Sequence, residues 1–154
     1  MSQTRATILL VEDDESLREV LAMNLEDYGF EVEQFANGTA AIEAYDPARH
    51  ELVLTDLRMP GISGLDVLDH VKEREPDAVV LVLTAYGGAE NSLEAMRRGA
   101  FHYVEKPVNT LSLVQEIERA LADIGLTCGE YTPAEADDPI LHHLLDPLRS
   151  LSRN

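Results

Sequence analysis

The chain has a single cysteine, Cys128, in 154 residues. A lone thiol excludes an internal disulfide framework and a cysteine-based zinc site. Its plain reading is an inert side chain. Basic residues are scarce: 12 Lys and Arg stand against 29 Asp and Glu, a formal net charge of −17. Such a surface repels nucleic acid and anionic membranes, so direct contact with either is not expected. Long apolar runs are missing too. The opening MSQTRATILLVEDD carries one Arg and a four-residue apolar run. It reads as neither signal peptide nor membrane span, and a cytoplasmic protein is expected. No internal repeat or low-complexity run is visible.

The length suits one domain with a real core and a tail, and 45% hydrophobic residues fit a globular chain. Five short apolar runs stand out: 8–11, 32–35, 52–54, 78–83 and 101–104. ILLV, LVL and AVVLVL are nearly continuous, as strands are when both faces of a parallel sheet are covered. The second run is broken by Glu33 and Gln34 and reads as an edge strand. Helical spacing fills the gaps. Leu17, Val20, Leu21, Asn24 and Leu25 form one stripe, and Ala40, Ala41, Ala44 and Tyr45 a second. Leu65, Val67, Leu68 and Val71 form a third, ended by Pro76. Ala89, Leu93, Ala95 and Met96 form a fourth, closed by Gly99. Leu111, Val114, Ile117, Ala120, Leu121 and Ile124 form a fifth, capped by Asn109 and Thr110. Five successive βα units predict an α/β fold: a doubly wound parallel sheet with right-handed crossovers. Its ligand crevice lies at the C-terminal ends of the strands.

The last residues differ. GLTCGEYTPAEADDP is rich in Gly, Pro and acids, and ILHHLLDPLRSL offers a short apolar patch. We therefore divide the chain into a domain at 1–124 and, at 125–154, an acidic linker with a short amphipathic segment. His142 and His143 point in different directions on a helix and have no third ligand nearby, so a solvated or packing role is expected. Ile140, Leu141, Leu144, Leu145 and Leu148 are expected to dock on the domain or a partner.

The strand ends carry the chemistry. Glu12, Asp13 and Asp14 follow the first strand, Asp56 the third, Thr84 the fourth and Lys106 the fifth. A parallel sheet brings them to one edge. Each has a plainer explanation alone: acids favour helix starts, a threonine can end a strand, and a lysine before proline is usually solvated. Together they form a set with one member per expected strand end. Several carboxylates at one spot repel unless a cation joins them, and hard oxygens suit Mg²⁺, which keeps waters for a phosphate. An Asp carboxylate can act as a nucleophile and form an acyl phosphate. Lys106 and the metal would neutralise the transferred group from two sides, and Thr84 would hydrogen-bond it.

The strings ILLVEDDES, LVLTDLRMPGISGLDVL, VLVLTAYG and GAFHYVEKPV resemble the receiver domains of bacterial two-component response regulators, from residue 7 to about 124. The resemblance implies a flavodoxin-like five-stranded sheet, order 2-1-3-4-5, with five helices. By position Asp56 is similar to the phosphoacceptor. Glu12 and Asp13 match the acidic pair, with Asp13 a direct metal ligand and Glu12 acting through water; the Arg58 carbonyl completes the shell. Asp14 falls outside the pair as a helix-start residue. Thr84 matches the switch hydroxyl, Tyr103 the switch aromatic and Lys106 the site lysine, whose bond to Pro107 is cis in such domains.

The implied activity is Mg²⁺-dependent transfer of a phosphoryl group from a sensor histidine kinase, or a phosphotransfer protein, to Asp56. The domain signals, catalysing only its own phosphotransfer and autodephosphorylation. A two-state shift then remodels the face built from the fourth helix, fifth strand and fifth helix, which contacts an output protein. Homodimerisation through those helices is common in the family. LTAYGG and EKPV look most like receivers of enhancer-binding transcription activators. Arg58 and Tyr86 occupy positions that tune dephosphorylation; both are bulky, so a long-lived phospho-form is expected. Three alternatives remain: the receiver part of a longer transcriptional regulator, a phosphorylation-silent scaffold, and a flavodoxin-like cofactor or hydrolase domain. The last lacks a glycine-rich phosphate loop after the first strand.

Overall fold

The computed structural model describes residues 5–85 and 89–125. Tyr86, Cys128, His142, His143 and the apolar patch at 140–148 lie outside the described residues, so the expectations placed on them are not addressed by it. The elements alternate strictly: β1 (Thr7–Val11), α1 (Glu15–Asp27), β2 (Glu31–Phe35), α2 (Gly38–Ala44), β3 (Leu52–Asp56), α3 (Gly64–Arg74), β4 (Val79–Thr84), α4 (Ala89–Arg97), β5 (His102–Glu105) and α5 (Thr110–Asp123). The strands form one sheet in the order β2-β1-β3-β4-β5, every neighbouring pair parallel. The order reverses between β1 and β3, which opens a crevice at their C-terminal ends.

Alternation along each strand sorts the core into two layers. Ile8, Leu10, Leu52, Leu54, Leu81 and Leu83 pack on one side with Leu21 and Leu25 of α1 and Leu113, Val114, Ile117 and Leu121 of α5. Leu9, Val11, Val53, Val80 and Val82 pack on the other with Ala41, Val67, Leu68, Val71 and Ala95 from α2, α3 and α4. Fully burying one such side chain is worth about 1.5–3 kcal/mol, so the continuous strands of the sequence are what anchor both helical layers. β2 is at the edge, as its polar pattern predicts. His50 braces it: Nδ1 accepts the Asp46 N–H at 3.0 Å, and Nε2 meets the Glu33 carboxylate of β2.

Helix starts follow their caps. Asp14, Asn37 and Asn109 each accept a backbone N–H from the first turn. Ser63 and Asp66 form a reciprocal capping box at α3. Gly99 takes φ +105° just past α4, a left-handed conformation that suits glycine.

Three stripes differ from the sequence reading. On α4 the expected apolar residues Leu93 and Met96 are 57% and 38% exposed, while Ser92 and Ala95 are buried. Small residues let this short helix lie close to the sheet, and the larger ones turn outward. On α1, Val20 is 51% exposed and Ala22 takes its place beside Leu21 and Leu25. On α5, Leu113 is buried but off the expected stripe, and Ile124 is an exposed cap residue.

Candidate functional site

The sheet fixes the site. Asp56 is the last residue of β3 and Thr84 the last of β4. The ladder runs on past both: Leu57 N–H donates to the Leu83 carbonyl at 3.0 Å and Lys106 N–H to the Thr84 carbonyl at 2.8 Å. The Lys106–Pro107 peptide is cis, as the sequence reading anticipates. Beside them, Glu12 N–H donates to the Phe35 carbonyl of β2 at 3.1 Å, holding the β1–α1 turn against the edge strand.

Carboxylate oxygens of Glu12, Asp13 and Asp56 all lie within 4.8 Å of one another. Glu12 and Asp56 are buried, whereas Asp13 is exposed. Lys106 Nζ donates to Asp56 Oδ2 at 2.9 Å and stands 2.8 Å from Glu12 Oε1. The second contact is an ion pair whose angle leaves the buried Oε1 without an aligned hydrogen bond. Asp14 N–H donates to Glu12 Oε2 at 3.1 Å. Arg58 presents its N–H to Asp56 Oδ1 at 3.3 Å, and its side chain is exposed.

Burial and attraction compete here, and depth decides. Glu12, whose side chain is 0% exposed, has its carboxyl pushed up to about 7, first by burial and then by the charge on Asp56. Lys106 and the Asp14 amide pull it down without prevailing. At Lys106, which reaches solvent, burial pulls downward but Glu12 and Asp56 outweigh it and hold the ammonium above its ordinary value. One ammonium facing two buried carboxylates leaves the acidic set short of positive charge. Hard oxygens that converge on one point and a buried oxygen without an aligned donor fit a divalent cation such as Mg²⁺.

The structure thus brings Glu12, Asp13, Asp56 and Lys106 together. Asp14 is the N-cap of α1, its Oδ1 accepting from Leu17 N–H at 3.1 Å. Thr84 is buried at the adjacent strand end, and its hydroxyl donates to the Ala85 carbonyl at 3.2 Å. Tyr103 pairs with Val82 in the sheet, is half-buried against the α4-side core and meets His102 edge-on with centroids 5.1 Å apart.

Two glycines escape the sequence reading. A Cβ on Gly64 would fall 2.1 Å from the Asp56 carbonyl oxygen and 2.7 Å from Leu57 Cα. The first turn of α3 therefore lies directly on the backbone of Asp56. A Cβ on Gly38 would meet Ile62 Cγ2 at 2.9 Å and Val67 Cγ2 at 3.0 Å, where α2 closes on α3. The only sequence signal was a glycine at a helix start, where glycine is a poor helix former.

Among described residues, no helix is long and apolar enough to cross a membrane. The description "Response regulator receiver domain" matches residues 8–118. The DNA-binding transcriptional regulator NtrC of Escherichia coli (strain K12) is 35% identical over 118 residues, 77% of this chain and 25% of that protein. The transcriptional regulatory protein FixJ of Azorhizobium caulinodans is 35% identical over 112 residues, 73% of this chain and 53% of that protein. The chain thus spans about a quarter to a half of the length of these relatives. Among solved structures, a response regulator receiver domain protein from Clostridium thermocellum superposes with a TM-score of 0.76 at 32% identity, covering 79% of this chain and 98% of that one. With the fold, the order of strands and the convergent acids in agreement, the chain belongs to the family of response regulator receiver domains.

Proposed function

We propose that Asp56 accepts a phosphoryl group from the phosphohistidine of a sensor histidine kinase or phosphotransfer protein. An Asp56 carboxylate oxygen attacks phosphorus, the P–N bond breaks as the P–O bond forms, and the histidine ring keeps the electron pair. The observation that carries this reading is the convergence of Glu12, Asp13 and Asp56 around a carboxylate already held by Lys106. Glu12, Asp13, Asp56 and the Arg58 carbonyl would hold Mg²⁺, which when bound would neutralise charge on the phosphoryl oxygens. Lys106 supports the other side of Asp56, and the Arg58 N–H helps to orient the carboxylate. The Thr84 hydroxyl would exchange the Ala85 carbonyl for a phosphoryl oxygen, and Tyr103 would turn inward. That shift biases the α4–β5–α5 face toward an output protein or a second copy of the chain. Residues 1–124 would be the cytoplasmic receiver unit and 125–154 its linker.

A second reading treats this receiver as the regulatory part of a larger transcription regulator. It is favoured by the relatives, in which the matched segment is only 25% of NtrC.

The test is incubation with acetyl phosphate and Mg²⁺, read by intact mass. A single base- and hydroxylamine-labile phosphoryl group, absent with EDTA and from Asp56→Ala, is the expected result. No mass gain, together with no beryllofluoride binding in Mg²⁺, would leave a silent scaffold as the better account.

A further inference from the structure

Arg18 stands in the first turns of α1 and is half-buried. Its Nη1 donates to the carbonyl of Glu12 at 2.9 Å. Its own N–H closes the helix on Asp14, at 2.8 Å. Among described residues, Arg5, Arg49, Arg97, Arg98 and Arg119 each have a carboxylate within 4.0 Å. Arg18 makes no ion pair with a described residue, although three acids, Glu12, Asp13 and Asp14, adjoin the carbonyl it binds. The side chain is spent on a backbone oxygen of the acidic turn and not on a carboxylate.

That choice has a consequence for the turn. Glu12 N–H is fixed to the edge strand, Glu12 Oε2 to the Asp14 amide, and Asp14 to the helix start. The Glu12 carbonyl is the remaining backbone polar group of that residue, and Arg18 secures it to α1. Glu12 is thereby tied on both sides of its Cα, its N–H to the sheet and its carbonyl to the helix. The exposed Asp13 carboxylate then hangs from a fixed backbone beside Asp56.

We infer that Arg18 is a positioning residue: its bond to the Glu12 carbonyl sets the Glu12–Asp13 turn so that both carboxylates converge with Asp56 on a divalent cation. The inference deepens the proposed metal-assisted reading and rests on it. Coulomb's law predicts the opposite sign for its loss. Removing a positive charge beside an acidic site should tighten cation binding. A weaker site after its removal therefore reports lost geometry. Partners that orient metal ligands typically change affinity by about 10–100-fold.

The experiment compares Arg18→Gln, Arg18→Lys and Arg74→Gln in the full chain. Arg74 is the matched control, donating to the Tyr45 carbonyl at 2.6 Å with the same change of charge. Mg²⁺ affinity is measured by calorimetry, and amide chemical shifts are recorded without metal. Arg18→Gln is expected to weaken Mg²⁺ binding about tenfold and to move the amides of Asp13, Asp14 and Asp56 in the metal-free protein. Arg18→Lys should recover part of both, and Arg74→Gln should change neither. Equal or tighter Mg²⁺ binding in Arg18→Gln, or shifts no larger than those of Arg74→Gln, overturns the inference. Failure of the wild type to bind Mg²⁺ would refute the metal reading instead, and the metal-free shifts would then decide the positioning role.

Discussion

Replacing Gly64 by alanine should destabilise the domain and disturb Asp56 together. On an ordinary helix the change is favourable: alanine is a better helix former by up to about 1 kcal/mol, and it narrows the unfolded ensemble. Gly64 is not at positive φ, so the backbone conformation itself raises no objection. Space does. The new Cβ would sit 2.1 Å from the Asp56 carbonyl oxygen, 2.7 Å from Leu57 Cα and 2.8 Å from the Asp56 carbonyl carbon. All three are backbone atoms of a central strand end, without rotamers to turn away. Overpacking typically costs about 1–3 kcal/mol, and a backbone clash this deep belongs at the upper end. Taking about 3 kcal/mol against a gain of about 1 leaves a net loss near 2 kcal/mol. At roughly 2–4 °C per kcal/mol for a chain of this size, Tm should fall by about 4–8 °C. Circular-dichroism melts of wild type and Gly64→Ala, with and without Mg²⁺, measure it. Relief of the clash must move α3 or Asp56, so the Tm gain on adding Mg²⁺ should also shrink in the variant. An unchanged or raised Tm would refute the close approach on which the reasoning depends.

Three further outcomes follow from the site and its surface. Lys106→Met leaves Glu12 and Asp56 buried without their cation; the metal-free protein should lose about 3 kcal/mol, read by urea melts, with much of it restored by Mg²⁺, and phosphorylation by acetyl phosphate should slow about 10²-fold. Arg58→Gly with Tyr86→Gly should shorten the life of the phospho-form about tenfold, followed by loss of the labile phosphoryl mass; a lifetime as long as wild type would refute screening by these side chains. Leu93→Ser on α4 should leave folding stability within about 0.5 kcal/mol, because that leucine is 57% exposed; a large drop in Tm would show that it packs inward after all.

What the chain reveals of itself depends on how local the physics is. β1, β3 and β4 were legible because a strand covered on both faces must be apolar at every position, and ILLV, LVL and AVVLVL are. Their common direction followed from the intervening helices, and that alone brings Glu12, Asp56 and Lys106 to one edge. Caps were equally local: Asn109 and Gly99 announce a start and an end through their own chemistry. The buried face of a helix is less local. On α4 and α1 the sequence offers more apolar residues than the sheet can cover, and packing distance settles the choice. Ser92 and Ala95 approach where Leu93 would not fit. Gly64 and Arg18 lie further still from any sequence signal. A glycine two residues after Ile62 reads as one more turn former until α3 is laid on the backbone of Asp56. An arginine amid acids reads as a solvated charge until its acceptor proves to be a carbonyl. The converging carboxylates were visible because their charge announces them. The groups that hold those carboxylates in place act through backbone atoms, which every residue has, and so leave no mark in the sequence.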